Sequence, residues 1–184
     1  MTTATIFSAS FSVPRQFALA FAGSVFIAAC AQIAVPVGPV PMTMQTFAVL
    51  LVGAAFGARL GAAAAALYLL EGAVGLPVFS GFLGGPAAFA GPTAGYLLAF
   101  VPAAWLVGLA RDRGLMARAS TAVFPMVLAT ALILAGGGAW LAMVFGADAW
   151  TVGVLPYLFG GVLKIALAAV LAPKAIDVVR RFRM

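Results

Sequence analysis

Apolar residues run through this chain in long blocks, without the single-face periodicity of a soluble helix. The first block covers 17–35, after Arg15, and is broken by Pro36-Val37-Gly38-Pro39-Val40-Pro41, where prolines remove donors and glycine frees the backbone. The second covers 43–58 and ends at Arg59. The third, 60–76, is Ala-rich, unbroken from Ala62 to Ala66, and contains Glu71. A Gly/Pro stretch follows from Pro77 to Pro92. The fourth block, 93–110, carries Pro102 as an expected kink and leads into a polar turn with Arg111, Asp112, Arg113 and Arg118. The fifth covers 121–145, and the sixth covers 153–172, ending near Pro173-Lys174. A spanning helix needs ~20 residues. The pattern therefore predicts an all-α, polytopic membrane protein of about six spans, folded as one membrane domain over residues 1–184. The third block is the weakest span, being short and poor in Leu, Ile and Phe.

Composition agrees. The chain has 184 residues, 65% hydrophobic and 8% charged, where a soluble domain carries about 25% charged residues. Mean hydropathy is +1.19. The absence of His removes His ligands and His-dependent triads, and 4 acids leave little for a carboxylate metal cage. Cys30, the single cysteine, excludes an intramolecular disulfide. No phosphate-cradling G-x-x-x-x-G-K-[ST] loop is present. We expect no catalytic residue, cofactor or metal.

A net charge of +6 would suggest nucleic acid in a polar chain. Here it reads as the cytoplasmic bias of membrane proteins. With the N-terminus inside and six crossings, Arg15, Arg59, Arg111, Arg113, Arg118, Lys174, Arg180, Arg181 and Arg183 all fall inside. Only Lys164 departs, and it lies within a span. Both termini are expected in the cytoplasm. A competing reading takes Ile27-Ala28-Ala29-Cys30 as a lipoprotein cleavage site. It would leave five spans and no hydrophilic domain to export, so Cys30 is read as a small core residue.

Two ionisable side chains lie within spans, Glu71 and Lys164. Such charges cost ~2.5–3.5 kcal/mol near the bilayer centre and usually face a cavity or a partner. Lys164 lies eight residues past Pro156, ~12 Å along a helix, on a face with Gly161, Gly160 and Tyr157. That notch suits an anionic group arriving from outside; the alternative is a lysine that snorkels or pairs with Glu71. Glu71 stands as a substrate acceptor, a partner for Lys164 or an interfacial carboxylate. Thr43 and Gln45 open the second block as ligand contacts, or as a cap and interhelical bonds. Gln32 reads as interhelical glue. The apolar connection containing Phe79, Phe82 and Phe89 is expected to fold back as a lid. Small residues recur four apart at Ala18 and Ala22, at Ser24 and Ala28, and at Gly53, Gly57 and Gly61, spacing that permits close helix contact.

These segments are familiar together. Pro39-Val40-Pro41-Met42-Thr43-Met44-Gln45-Thr46 is followed by Tyr68-Leu69-Leu70-Glu71-Gly72-Ala73-Val74-Gly75-Leu76-Pro77-Val78-Phe79, by Gly84-Gly85, by Gly91-Pro92-Thr93-Ala94-Gly95-Tyr96, and by Pro156-Tyr157 with Lys164. In order and spacing, from about Arg15 to Pro173, the chain resembles BioY, the biotin-specific S component of energy-coupling factor (ECF) transporters. The resemblance implies a six-helix S-component fold with a pocket near the outer surface of a bacterial inner membrane. It implies biotin as substrate, captured from outside, and partnership with a transmembrane coupling protein and two ATPase subunits, with self-association a further option. Substrate-binding candidates are then Lys164, Tyr96, Thr43, Gln45, Glu71, Phe79, Tyr157 and Gly161. Ala18 and Ala22 would match the small residues with which the family's first helix touches the coupling protein. The family pattern places an Asp three residues before the lysine, where this chain has Gly161, so Glu71 substitutes or Lys164 meets the ligand without a protein partner.

Other functions stay in view: an S component for another vitamin, or a small membrane channel or exporter. A channel needs a polar pore, and an exporter an inverted repeat; no repeat is evident. A membrane enzyme is disfavoured because Glu71, Asp112, Asp148 and Asp177 are scattered.

Overall fold

The computed structural model describes residues 12–146 and 149–181, so Asp148 and Arg183 lie outside the described residues. Its helices are α1 Val13–Ala31, α2 Gln45–Phe56, α3 Ala58–Ala73, α4 Ala94–Asp112, α5 Ala119–Phe145, α6 Ala149–Gly153 and α7 Leu155–Arg181. An antiparallel hairpin, β1 Ala34–Val35 and β2 Met42–Thr43, joins α1 to α2 with Ala34 opposite Thr43. Short 3₁₀ turns, Ser80–Phe82 and Pro86–Phe89, punctuate the link from α3 to α4, and a third, Leu115–Ala117, precedes α5.

Among the described residues, α1, α4, α5 and the α6–α7 segment supply four stretches long and apolar enough to cross a membrane. The helices α2 and α3 have 12 and 16 residues, so they rise ~18 and ~24 Å, less than a ~30 Å hydrocarbon core. The blocks 43–58 and 60–76 thus exceed the helices they contain. Met42 and Thr43 are held in the hairpin, and Gly57 turns the chain at φ +88°, a conformation open to glycine and strained for other residues. Burial explains how such a short helix persists: α2 packs against α1, α3, α4 and α7 and buries residues on every face, as an all-round apolar helix must.

The α2–α3 corner is held from α4. Asp112 Oδ2 accepts a hydrogen bond from Ala58 N at 3.0 Å, satisfying one of the free N–H groups at the start of α3. Arg111 pairs with Asp112 at 3.2 Å and is only 4% exposed, so it is packed into the end of the bundle rather than sitting in an open polar turn. A Cβ on Gly108 would fall 2.4 Å from the Ala58 backbone, and one on Gly61 2.9 Å from Gly53 Cα. Gly53 and Gly61 therefore serve close backbone approach, while Gly57 between them is the corner itself.

At its far end α7 runs past the expected stop at 172, through Pro173, to Arg181. Proline removes one helical hydrogen bond, yet Ala172, Ile176 and Val179 remain buried on one face. Packing of α7 on the Leu115–Ala117 turn keeps the helix continuous across the proline.

Candidate functional site

At the end of the bundle away from the α2–α3 corner lies a cavity of about 430 Å³, within the 300–1,000 Å³ of small-molecule sites. Its walls come from distant parts of the chain. The hairpin contributes Val40, Pro41, Met42 and Thr43, and α2 contributes Gln45. The α3–α4 connection contributes Phe79, Leu83, Gly84 and Ala88; α4 adds Tyr96 and Phe100. Thr130 and Ile133 face in from α5, and Tyr157, Gly161 and Lys164 from α7.

The tyrosine hydroxyls are used within the protein. Tyr157 brings its hydroxyl to the carbonyls of Val37, at 2.8 Å, and Val40. This ties the proline-rich hairpin turn to α7. Tyr96 donates to the carbonyl of Gly153. A Cβ on Gly137 would lie 2.1 Å from the Tyr96 ring, so only glycine lets that ring lie against α5. The two rings stand 6.3 Å apart, and both residues line the cavity.

Thr43 and Gln45 belong to a chain of hydrogen bonds. Thr43 Oγ1 donates to Gln45 Oε1 at 2.7 Å, Gln45 Nε2 donates to the Tyr68 hydroxyl at 2.5 Å, and Tyr68 donates to the Val78 carbonyl at 3.3 Å. The backbone N of Gln45 also donates to Thr43 Oγ1 at 3.3 Å; the N-cap of α2 is Met44, without a side-chain cap bond, so Thr43 steadies the turn into the helix rather than capping it. Among the described residues the second amide hydrogen of Gln45 has no hydrogen-bond partner.

The α3–α4 connection folds over the cavity. Phe79 is 4% exposed and packs edge-on between Tyr68, at 5.4 Å, and Phe89, at 5.7 Å. A Cβ on Gly72 would overlap the Phe79 ring at 2.0 Å, so this glycine makes the socket for the ring. Gln32, expected to join helices, instead clamps this connection from the end of α1. Its Nε2 donates to the Phe79 carbonyl at 3.1 Å, and its Oε1 accepts from Phe82 N at 3.1 Å.

Lys164 lines the cavity partly buried. Among the described residues it has no ion pair, the two present being Arg111–Asp112 and Arg180–Asp177. Glu71 is placed elsewhere. It accepts a hydrogen bond from Ser24 Oγ at 2.9 Å, joining α1 to α3, and it is not among the cavity-lining residues. The notch expected from two glycines divides. A Cβ on Gly160 would lie 2.5 Å from Met42 Sδ, whereas one on Gly161 would meet nothing nearer than Thr130 Cγ2 at 3.5 Å. Met42 fills the first, and Gly161 opens onto the cavity.

Of the substrate-binding candidates, the structure thus gathers Lys164, Tyr96, Thr43, Gln45, Phe79, Tyr157 and Gly161 around one volume and leaves Glu71 outside. Ala18 and Ala22 are exposed on α1, away from the cavity. Sequence reasoning missed Thr130. The signal was present, since it is the one hydroxyl in the interior of the fifth apolar block, but a threonine in an apolar helix ordinarily bonds its own backbone.

The BioY family model matches residues 2–181. A protein named probable biotin transporter BioY from Pyrococcus horikoshii is 39% identical over 145 residues, covering 78% of this chain and 85% of that protein. The biotin transporter BioY of Thermotoga maritima is 33% identical over 171 residues, covering 86% and 94%. The crystal structure of the S-component for biotin from an ECF-type ABC transporter superposes with a TM-score of 0.71 at 22% identity, covering 95% of each chain. The two share one fold.

Proposed function

This chain belongs to the BioY family, and from that premise we propose that it is the substrate-binding membrane subunit through which biotin is captured from outside and taken up. One observation carries the reading: an apolar, aromatic-walled cavity of about 430 Å³ that presents a single cation, Lys164, free of any protein anion among the described residues. Biotin has complementary chemistry. Its carboxylate suits the ammonium, its chain and fused ring suit the aromatic walls, and its ureido group needs only a few donors and acceptors such as those near Thr43 and Gln45. Small-molecule sites have this character, mostly apolar with few polar anchors.

Binding needs no nucleotide on this reading, because the chain has no phosphate loop. Detergent-purified protein is expected to give a calorimetric signal with biotin alone, undiminished by thiamine or riboflavin. Folded protein that gives neither heat nor a thermal shift with biotin would refute the assignment. Tight competition by another vitamin would move it to a different S component.

Energy for uptake against a gradient would then come from a separate ECF module, a transmembrane coupling protein with two ATPase subunits, approaching the exposed Ala18 and Ala22 face of α1. The membrane orientation follows from charge. Arg59, Arg111, Arg113 and Arg118 gather at the corner end of the bundle and the cavity lies at the other, so the positive-inside bias turns the cavity outward and both termini to the cytoplasm. Topology reporters fused at Ser120 and after Met184 should both read cytoplasmic, and one inserted near Gly84 external. A cytoplasmic signal at Gly84 would invert the scheme.

A further inference from the structure

Thr130 sits on α5 at 6% exposure, lines the cavity, and among the described residues its hydroxyl has no hydrogen-bond partner. Every other buried hydroxyl around the cavity, on Thr43, Tyr96 and Tyr157, is bonded within the protein. A threonine in an apolar helix would usually donate to the carbonyl four residues back, and Thr130 does not. Buried polar groups are nearly always satisfied, so one left open at a cavity wall points to a partner from outside the chain.

The position says which part of that partner. Across from Thr130 stands Gly161, where a Cβ would lie 3.5 Å from Thr130 Cγ2. Gly161 is three residues before Lys164 on α7, about 4.5 Å along the axis, and on the same face. With no side chain at 161, Thr130 and Lys164 border the same free volume; the Thr130 methyl faces Gly161, and the hydroxyl, buried beside that methyl, reaches the space by rotation about χ1. We propose that Thr130 is a substrate-contacting residue that donates its hydroxyl hydrogen to the carboxylate held by Lys164, forming a two-donor anion subsite across α5 and α7. The hydroxyl supplies direction and the ammonium supplies charge. This rests on the biotin reading above.

The test uses the full-length protein in detergent, with biotin as probe, following affinity by calorimetry and the melting temperature of the ligand-free protein. Thr130→Val removes the hydroxyl and keeps the shape. It should weaken biotin by roughly tenfold, the scale of one hydrogen bond, and leave the ligand-free melting temperature unchanged or raised. Thr130→Ser should keep affinity within about threefold of wild type. Combined with Lys164→Ala, the Thr130→Val loss should shrink, because both donors serve one group. Wild type that binds no biotin would overturn the functional reading and this inference with it. Wild type that binds, with Thr130→Val binding equally well, would overturn the inference alone. So would a lowered ligand-free melting temperature in Thr130→Val, which would mean that the hydroxyl is used inside the bundle, or full additivity with Lys164→Ala.

Discussion

Replacing Lys164 by alanine should weaken biotin binding by between about 30-fold and several thousand-fold, the ~2–5 kcal/mol that follows loss of one member of a buried charge pair. The structure gives the reason. Lys164 lines the cavity and has no ion pair among the described residues, while Glu71, on α3, accepts the hydroxyl hydrogen of Ser24. A cation carried into an apolar bundle without a protein anion is costly, and on the proposed function the compensating anion would arrive with the substrate. Two further outcomes follow. Ligand-free stability should not fall in Lys164→Ala, since no internal pair is broken. Lys164→Arg should retain part of the affinity, because a planar fork fills the space of a compact ammonium poorly. The uncharged amide of biotin is the decisive probe. Wild type should prefer the acid strongly, and Lys164→Ala should bind acid and amide about equally. A mutant that keeps the full preference for the acid would remove Lys164 from the role of carboxylate anchor.

The second large effect concerns uptake rather than binding. Ala18→Leu combined with Ala22→Leu should abolish biotin accumulation by cells that carry the ECF module, while leaving biotin affinity near wild type. Both alanines are exposed on α1. The opposite face of that helix, with Ala20, Gly23, Ser24 and Ile27, is buried against α2 and α3. Added leucines would therefore leave the packing of this chain intact, and the cavity lies away from them. They would hold a partner helix off by the depth of a side chain, and close approach between membrane helices depends on small residues. Co-purification with the coupling protein and transport in whole cells should fall together. A parallel loss of biotin affinity in the isolated subunit would show the two alanines to be part of the subunit's own packing.

Much of the fold was legible from runs of apolar residues, because in a membrane protein the solvent itself selects for them. The helices α1, α4, α5 and α7 fall where the blocks lie, displaced by four residues or fewer at their ends except that α7 runs nine residues further, to Arg181. The displacements have local causes. Val35 leaves its block for the hairpin, since pairing with Met42 satisfies backbone groups beside two prolines. The third block already read as short and poor in Leu, Ile and Phe, but the 12-residue α2 could not be told from a span, because residues in a corner are as apolar as residues in a span. The helix α7 crosses Pro173 because distant packing on the Leu115–Ala117 turn outweighs one missing hydrogen bond.

What the sequence determined alone is what depends on solvent and on charge count. It set the membrane class, the all-α architecture, the absence of histidine chemistry and of a phosphate loop, and the rarity of intramembrane charge that singles out Lys164 and Glu71. It also held the family resemblance in ordered motifs. Which of those groups meet was decided only by the tertiary structure. Thr43, Tyr96, Thr130 and Lys164 lie tens of residues apart, and their convergence on one cavity depends on how helices pack, which no local pattern encodes. The same packing sent Glu71 to Ser24 and Gln32 to the lid. It filled the space at Gly160 with Met42 and left that at Gly161 open. A polar side chain inside a membrane must find a partner, and the sequence shows the need, but three-dimensional proximity chooses which partner answers it.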